Sequence, residues 1–278
     1  MRMPVIHGLI RRRLLINFRV EAEVMERYLL PPFRPKLHRG YAIAGICLIR
    51  LEQIRPVWLP SFCGFSSENA AHRVAVLWDE PSGRTREGVF IPRRDTSSWL
   101  NHFAGGRIFP GEHHLADFAV TDDGSRISMS IRARDGRMSI RVRAHVSNSL
   151  PESSCFESLA SSSGYFEGGS VGYSVTRDCC RLDGIRLQTE SWRVRPLAID
   201  LVESSFFADE TEFPAGSVTL DHALIMRDLR HQWHEEPDMS TGISKVGSPG
   251  SRISGVSPRD SLFRPGVPHT WGLTFYKN

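Results

Sequence analysis

The hydrophobic pattern is clearest in the middle of the chain, where apolar and polar side chains alternate on both sides of Asp135-Gly136. The alternation covers residues 127–134 before this pair and 138–146 after it. Period-two alternation flanking an Asp-Gly pair is typical of a β-hairpin. One face is apolar and the other carries arginine and serine, so the pattern predicts an antiparallel sheet with one face in water.

Similar patterns predict strands along most of the chain, joined by short helices. Strands are predicted at 14–20, 41–51, 68–78, 88–92, 171–176, 185–189 and 192–202, and another through Ala116, Phe118 and Val120. Short helices are predicted at 21–30, at 154–163, and from a cap at Thr96 to about Phe103. Residues 218–233 fit a helix or a strand equally well. Many strands with few short helices predict a mainly β (α+β) domain shaped like a barrel.

Composition divides the chain into three parts. Residues 1–13 form a basic lead-in, 14–235 a single domain, and 236–278 a tail rich in Ser, Gly, Pro and Arg that we expect to be disordered. No apolar run is long enough to span a membrane, and the basic start lacks a signal-peptide cleavage site. These features predict a cytoplasmic protein without a membrane partner.

Charge and cysteine content disfavour several classes of partner. Five cysteines without a CxxC pair form neither a regular disulfide framework nor a zinc site, so we expect no metal and no cofactor. The net charge of +4 is small for 278 residues. The arginine-rich hairpin face has no interleaved aromatic residues to stack bases, which argues against a nucleic-acid partner.

One segment resembles the active-site stretch of the acetoacetate decarboxylases. Gly105-Gly106-Arg107 followed by Phe109-Pro110 matches the family motif, in which two lysines come next and one forms a Schiff base. Ser67-Glu68-Asn69 and residues 192–197 extend the likeness to the YqjF-like uncharacterised branch of this superfamily, from about Leu14 to about Trp233. The resemblance implies a cone-shaped, antiparallel β barrel around a central cavity.

The lysines of the motif are missing, because Gly111 and Glu112 follow the Phe-Pro pair. Of the 35 lysines and arginines in the chain, only three are lysines, namely Lys36, Lys245 and Lys277. An imine requires an amine that can lose its proton, which a guanidinium cannot do. We therefore expect no lysine in the pocket and no Schiff-base decarboxylation.

Strand periodicity and the resemblance select candidate site residues. Glu68 occupies the place of a family glutamate near the Schiff base, and it shares a strand face with His72, roughly 13 Å away. His114, rather than His113, shares the apolar face of its strand. Glu68 and His114 are the predicted catalytic pair. The predicted ligand-binding residues are His72, Arg73, Arg93, Arg94, Arg107, Glu112 and Trp192. Structural ion pairs, core hydrogen bonds and packing are the alternative roles for all of them.

A carboxyl group, a neutral imidazole and guanidinium groups together supply an acid, a base and an anion clamp. The predicted function is a small-molecule pocket for an anionic ligand, with general acid–base chemistry on a carboxylated or keto metabolite. The alternative is a non-catalytic binding or sensing module on the same barrel. Assembly of several copies stays open.

Overall fold

The computed structural model describes residues 4–106, 109–176 and 180–242, and the backbone of 273–275. The strands are β1 Ile6–Glu21, β2 Arg34–Pro35, β3 Leu37–His38, β4 Tyr41–Pro56, β5 Phe65–Asp79, β6 Thr85–Thr96, β7 His113–Asp122, β8 Arg126–Ala133, β9 Ser139–Val146, β10 Val171–Val175, β11 Arg181–Thr189, β12 Arg195–Ser204, β13 Val218–Ser240 and β14 Leu273–Phe275. The helices are α1 Ala22–Tyr28, α2 Trp99–Ala104 and α3 Leu159–Glu167, with a 3₁₀ turn at Ser61–Cys63.

The sheet closes on itself twice, and the two rings share five strands. The shared strands, which we call the common wall, are β13, β1, β4, β5 and β6. The first ring adds β10 and β11 to this wall. The second ring adds β7, β8, β9 and β12, and closes where β12 pairs with β13. Two pairings, β6 with β7 and β6 with β10, are parallel, and the other strand pairs are antiparallel. The prediction of a mainly β, closed, barrel-like sheet is confirmed.

The common wall is buried on both faces because a hydrophobic core lies on each side of it. On β1, the consecutive residues Leu14, Leu15 and Ile16 are all at most 1% exposed. Leu14 and Ile16 belong to the core of the second ring, whereas Leu15 packs with Leu224 on the side of the first ring. Strands covered on both faces read as continuous apolar runs, which explains the sequence of β1 and β4.

Most predicted elements are present, with shifted ends. The hairpin lies at β8 and β9, and Gly136 takes the positive φ of 73° that its turn requires. The ambiguous segment 218–233 is a strand within β13. α2 is capped by Ser98, whose hydroxyl accepts from the Asn101 N–H at 3.3 Å, so the predicted cap at Thr96 was wrong. α3 starts five residues later than predicted.

The sheet also reaches beyond the predicted domain limits. β1 begins at Ile6, inside the predicted lead-in, where Arg11 pairs with Glu52 on the adjacent β4 and Arg12 pairs with Glu68 on β5. β13 continues to Ser240, and 273–275 pair with β12. The remainder of the predicted tail, 243–272 and 276–278, lies outside the described residues. In the described part of the chain, no helix is long and apolar enough to cross a membrane.

The common wall should be sensitive to cavities. Ile46 is fully buried in the core of the second ring, so Ile46→Ala is expected to lower the free energy of unfolding by about 2–5 kcal/mol. Leu37→Ala, at a residue 45% exposed, is the matched control and should change it by less than about 0.5 kcal/mol. Urea denaturation measures both, and equal losses would contradict the placement of the wall between two cores.

Candidate functional site

The residues of β5 alternate between the two rings, as the period of a strand requires. Glu68, Ala70 and His72 face the second ring, whereas Ala71 and Arg73 face the first. The cavity lies in the first ring, on the face opposite to the one that carries Glu68 and His72. Of the predicted set, Arg73 therefore reaches the cavity directly.

A small cavity of about 30 Å³ lies inside the first ring and beneath α3. It is lined by Arg13, Leu15, Lys36, Arg73, Ala75, Glu87, Gly88, Val89, Tyr165, Phe166 and Gly169. Three of these lining residues, Arg13, Lys36 and Arg73, are basic, and one, Glu87, is a carboxylate. The cavity is therefore electropositive.

Arg73 is the most buried of the three basic side chains, with 5% of its surface exposed. Its Nη2 donates to Asn17 Oδ1 at 2.5 Å, and its guanidinium lies 4.8 Å from the centroid of the Phe166 ring. Its Nε has no hydrogen-bond partner among the described residues. Burial lowers the pKa of Arg73 to about 10, because few compensating charges surround it.

Arg13 reaches the cavity from β1. Its Nε donates to Cys47 Sγ at 3.4 Å, while its Nη1 is buried without a hydrogen-bond partner in the described part of the chain. The Arg13 guanidinium lies 5.8 Å from the Trp192 ring, whose Nε1 donates to Ser163 Oγ at 3.0 Å. Trp192 thus packs beside a cavity residue. Arg13 was assigned to the lead-in, so sequence reasoning missed it.

Lys36 also lines the cavity, so the expectation of a pocket without lysine was wrong. Its Nζ lies 2.6 Å from Glu87 Oε2 and 4.2 Å from the centroid of the Tyr165 ring. The Lys36 backbone N–H donates to Ala75 O. This hydrogen bond holds the segment between β2 and β3 against β5. The lysine of the cavity therefore comes from the segment between β2 and β3, far from the Phe-Pro motif.

The position of the missing motif lysine has no room for a side chain. Gly111 has a φ of 81°, and a Cβ there would lie 2.5 Å from Ser174 Cβ and 3.3 Å from Arg94 Nε. Arg94 Nε donates to Ser174 Oγ at 2.8 Å, whereas its Nη2 has no partner among the described residues. Burial lowers the pKa of Arg94 to about 10. Arg94 and Ser174 occupy this space instead.

Two other predicted ligand-binding residues, Glu112 and Arg107, belong to the same segment. The Glu112 backbone N–H donates to Val175 O at 3.5 Å, which joins the loop to β10. Arg107 lies outside the described residues.

Glu68 is held in an ion-pair network that faces the second ring. Arg12 Nη2 donates to Glu68 Oε2 at 2.7 Å, and Arg12 Nη1 donates to Asp122 Oδ2 at 3.3 Å. Burial raises the pKa of Glu68, although the positive charge of Arg12 opposes this shift. His72 lies on the same face, fully buried and stacked on Phe206 at a centroid distance of 4.2 Å.

Arg93 and His114 meet in a second cluster on that face. Arg93 Nη2 donates to Asp95 Oδ1 at 2.8 Å and to Asp135 Oδ2 at 2.9 Å. His114 Nδ1 lies 3.5 Å from the same Asp135 oxygen. Burial raises the pKa of Asp95 to about 6, against the opposing charge of Arg93.

His114 lies on the same face of β7 as the buried Ala116, as predicted, but it is the more exposed of the two adjacent histidines. His113 is 7% exposed and its Nδ1 lies 3.1 Å from Gly111 O, whereas the His114 side chain is 30% exposed. The cause is the parallel pairing of β7 with β6, which sets His113 against Arg94 and His114 against Asp95. His113 consequently faces the first ring.

No group of three or more His, Cys, Asp and Glu within the described ranges could hold a metal ion.

A family model matches residues 9–226: DUF2071, described as an uncharacterized conserved protein (COG2071). No curated protein matches the chain. Among solved structures, acetoacetate decarboxylase from Legionella pneumophila is similar with a TM-score of 0.53 at 10% identity, over 84% of this chain and 86% of that one. An acetoacetate decarboxylase-like enzyme from Sphingomonas wittichii RW1 has a TM-score of 0.53 at 10% identity, over 86% and 94%.

A third similar structure is the enduracididine biosynthesis enzyme MppR complexed with pyruvate. Its TM-score is 0.52 at 11% identity, over 87% of this chain and 92% of that one. At such low identity these likenesses show the fold alone, which agrees with the fold that the resemblance implied.

Because buried histidines stay neutral in the native state, we expect the protein to lose stability at acidic pH. Burial lowers the pKa of His72 to about 3, whereas an unfolded histidine titrates near 6.5. Between these pH values the unfolded state binds a proton that the native state does not. The free energy of unfolding should therefore fall by up to about 1.4 kcal/mol per pH unit as pH drops through this window.

His72→Gln removes this proton uptake, so its unfolding free energy should depend less steeply on pH between about 6 and 4. Urea denaturation at a series of pH values measures the slope. The exposed His145→Gln controls for the loss of a histidine in general. A slope for His72→Gln equal to that of the unchanged chain would refute the burial of a neutral imidazole.

Proposed function

The chain belongs to the DUF2071 family, and on that premise we propose that it binds a small carboxylated molecule in the cavity of the first ring. Arg13 and Arg73 hold the carboxylate, and Lys36 adds a third positive charge. The observation that carries this proposal is the pair of buried, unpartnered guanidinium atoms, Arg13 Nη1 and Arg73 Nε, at the cavity.

Buried donors without acceptors are costly, at about 1–3 kcal/mol each, and native proteins rarely leave them so. A carboxylate has two oxygens that accept hydrogen bonds and a charge that offsets the guanidinium groups. The cavity volume of about 30 Å³ is enough for such a group. The aromatic side chains of Tyr165 and Phe166 supply an apolar wall for the remainder of the ligand.

The pyruvate complex of the similar enzyme MppR supports a ligand of this class, since pyruvate is a small keto acid. Acid–base catalysis by Glu68 and His114 remains a prediction. Both side chains engage groups that face the second ring, so the proposal concerns binding through Arg13, Arg73 and Lys36.

The proposal is tested first with pyruvate and then with a panel of small mono- and dicarboxylates. A bound carboxylate should raise the melting temperature in a concentration-dependent manner, because it binds only the native state. If no member of the panel changes the melting temperature, the proposal is wrong.

Truncating the cavity arginines should weaken this binding. Arg73→Met and Arg13→Met each keep a long apolar side chain and remove a charged hydrogen bond worth about 1.5–3 kcal/mol. Each should therefore raise the Kd by about 10- to 100-fold in isothermal titration. Arg143→Met, on the exposed face of β9, is the matched control and should bind like the unchanged chain. An Arg73→Met variant with unchanged affinity would contradict the proposed clamp.

Lys36 should act as a cation and not as an imine-forming amine. The Glu87 carboxylate lies 2.6 Å from its Nζ, and the Tyr165 ring packs against the same atom. Treatment with pyruvate and borohydride should leave the protein mass unchanged, while Lys36→Met should weaken pyruvate binding. A reduced adduct mapped to Lys36 would show that the amine is nucleophilic.

A further inference from the structure

A serine, a histidine and an aspartate form a buried relay at the edge of the first ring. Ser162 Oγ lies 2.7 Å from His222 Nε2, and His222 Nδ1 lies 2.5 Å from Asp221 Oδ2. The three residues are at most 2% exposed. Ser162 lies on α3, and the other two residues lie on β13. The sequence singled out none of the three residues, because Ser162 and His222 are 60 residues apart in the chain.

The neighbouring hydrogen bonds determine which atoms carry the protons. Arg73 is always a donor, so Asn17 Oδ1 accepts from it and Asn17 Nδ2 must point towards His222 Nε2, at 3.1 Å. His222 Nε2 is therefore an acceptor, and the ring proton resides on Nδ1 and is donated to Asp221. The Ser162 hydroxyl then also donates to Nε2, at the shorter distance of 2.7 Å, and shares its single lone pair with the Asn17 N–H.

The charges around the relay agree with this assignment. Burial lowers the pKa of His222, which keeps its ring neutral despite the opposing effect of Asp221. Burial alone would raise the pKa of Asp221, but hydrogen bonds from His222, from the Cys155 N–H and from Ser154 lower it to about 2. An ionised carboxylate thus orients a neutral imidazole, which in turn accepts from a serine hydroxyl.

We propose that Ser162 is an acyl-accepting nucleophile, with His222 as its general base and Asp221 as the positioning residue, acting on a small carboxylic ester. A nucleophile within hydrogen-bond reach of a base, itself oriented by a third group, is the arrangement that activates a hydroxyl. This activity goes beyond the binding of a carboxylate proposed above.

The three relay residues lie outside the lining of the cavity and are connected to it indirectly, through α3 and Arg73. Ser162 precedes Phe166 by one helical turn, so both side chains lie on the same face of α3, and Phe166 lines the cavity. The Arg73 guanidinium packs on Phe166 and is bonded to Asn17, which contacts His222. In this proposal, Arg73 Nε, which has no partner among the described residues, would donate to the developing oxyanion.

The reaction balances with water as the second reactant. Ser162 Oγ attacks the ester carbonyl carbon while its proton passes to His222 Nε2, from which the Asn17 N–H is displaced. The bond from carbon to the alcohol oxygen breaks, and the alcohol leaves with the proton from His222. Water then gives a proton to His222 Nε2 and attacks the acyl carbon. The bond from the acyl carbon to Ser162 Oγ breaks, the acid leaves, and His222 returns the proton to Oγ.

Diisopropyl fluorophosphate is a suitable probe, because it reacts with activated serines and carries no charge. Intact-protein mass spectrometry should show one diisopropylphosphoryl group, and peptide mapping should place it on Ser162. Ser162→Ala should abolish this labelling, and His222→Gln should slow it by at least about 100-fold. Ser161→Ala, one residue away on α3, is the matched control and should label at the rate of the unchanged chain.

Absence of the adduct, or its placement on another residue of the unchanged chain, would overturn the proposal. Because the unchanged chain is mapped directly, the result stands even if His222→Gln or Ser162→Ala fails to fold. The probe lacks a carboxylate, so labelling and pyruvate binding can succeed or fail independently. Failure of the relay is thereby distinguished from failure of the binding proposal.

Discussion

The structure depends on one constraint, which is that the common wall is covered on both faces. A charged side chain that is buried on this wall must find a partner inside the protein, because an isolated buried charge costs several kcal/mol. On the face of the second ring, Arg12 and Arg93 each meet two carboxylates. On the opposite face, Arg13, Arg73 and Arg94 each keep a buried nitrogen without a partner among the described residues. Arg12 Nε is buried without a partner as well, but two carboxylates balance the charge of Arg12. The two faces therefore differ in the carboxylates that their arginines meet, and this difference favours an anionic ligand in the first ring.

Much of the fold could be predicted from local pattern. The alternation around Asp135-Gly136 placed the hairpin, and the period of β5 correctly separated Glu68 and His72 from Arg73. The pattern could not show which face of β5 encloses a cavity, because period-two alternation sorts side chains into two sets without saying what covers each set. The likeness to the decarboxylases favoured the set that carries Glu68, which faces away from the cavity.

The remaining errors arose where long-range pairing determines position. Parallel pairing of β7 with β6 sets His113 against Arg94, where His113 is more buried than His114. A hydrogen bond between the Lys36 backbone and β5 brought a lysine from a short connecting segment into the cavity. The Ser162 relay likewise depends on α3 docking against β13, and single residues with no local signature could not reveal it.

Gly111 has a consequence for any attempt to convert this protein into a Schiff-base decarboxylase. Its backbone has a left-handed conformation that glycine adopts readily, and Ser174 and Arg94 fill the adjoining space. A lysine placed there would need at least three coordinated changes: a different loop conformation, a smaller neighbour on β10 and removal of a guanidinium. A lysine at this position would therefore require a different loop conformation, and the single substitution Gly111→Lys does not supply one.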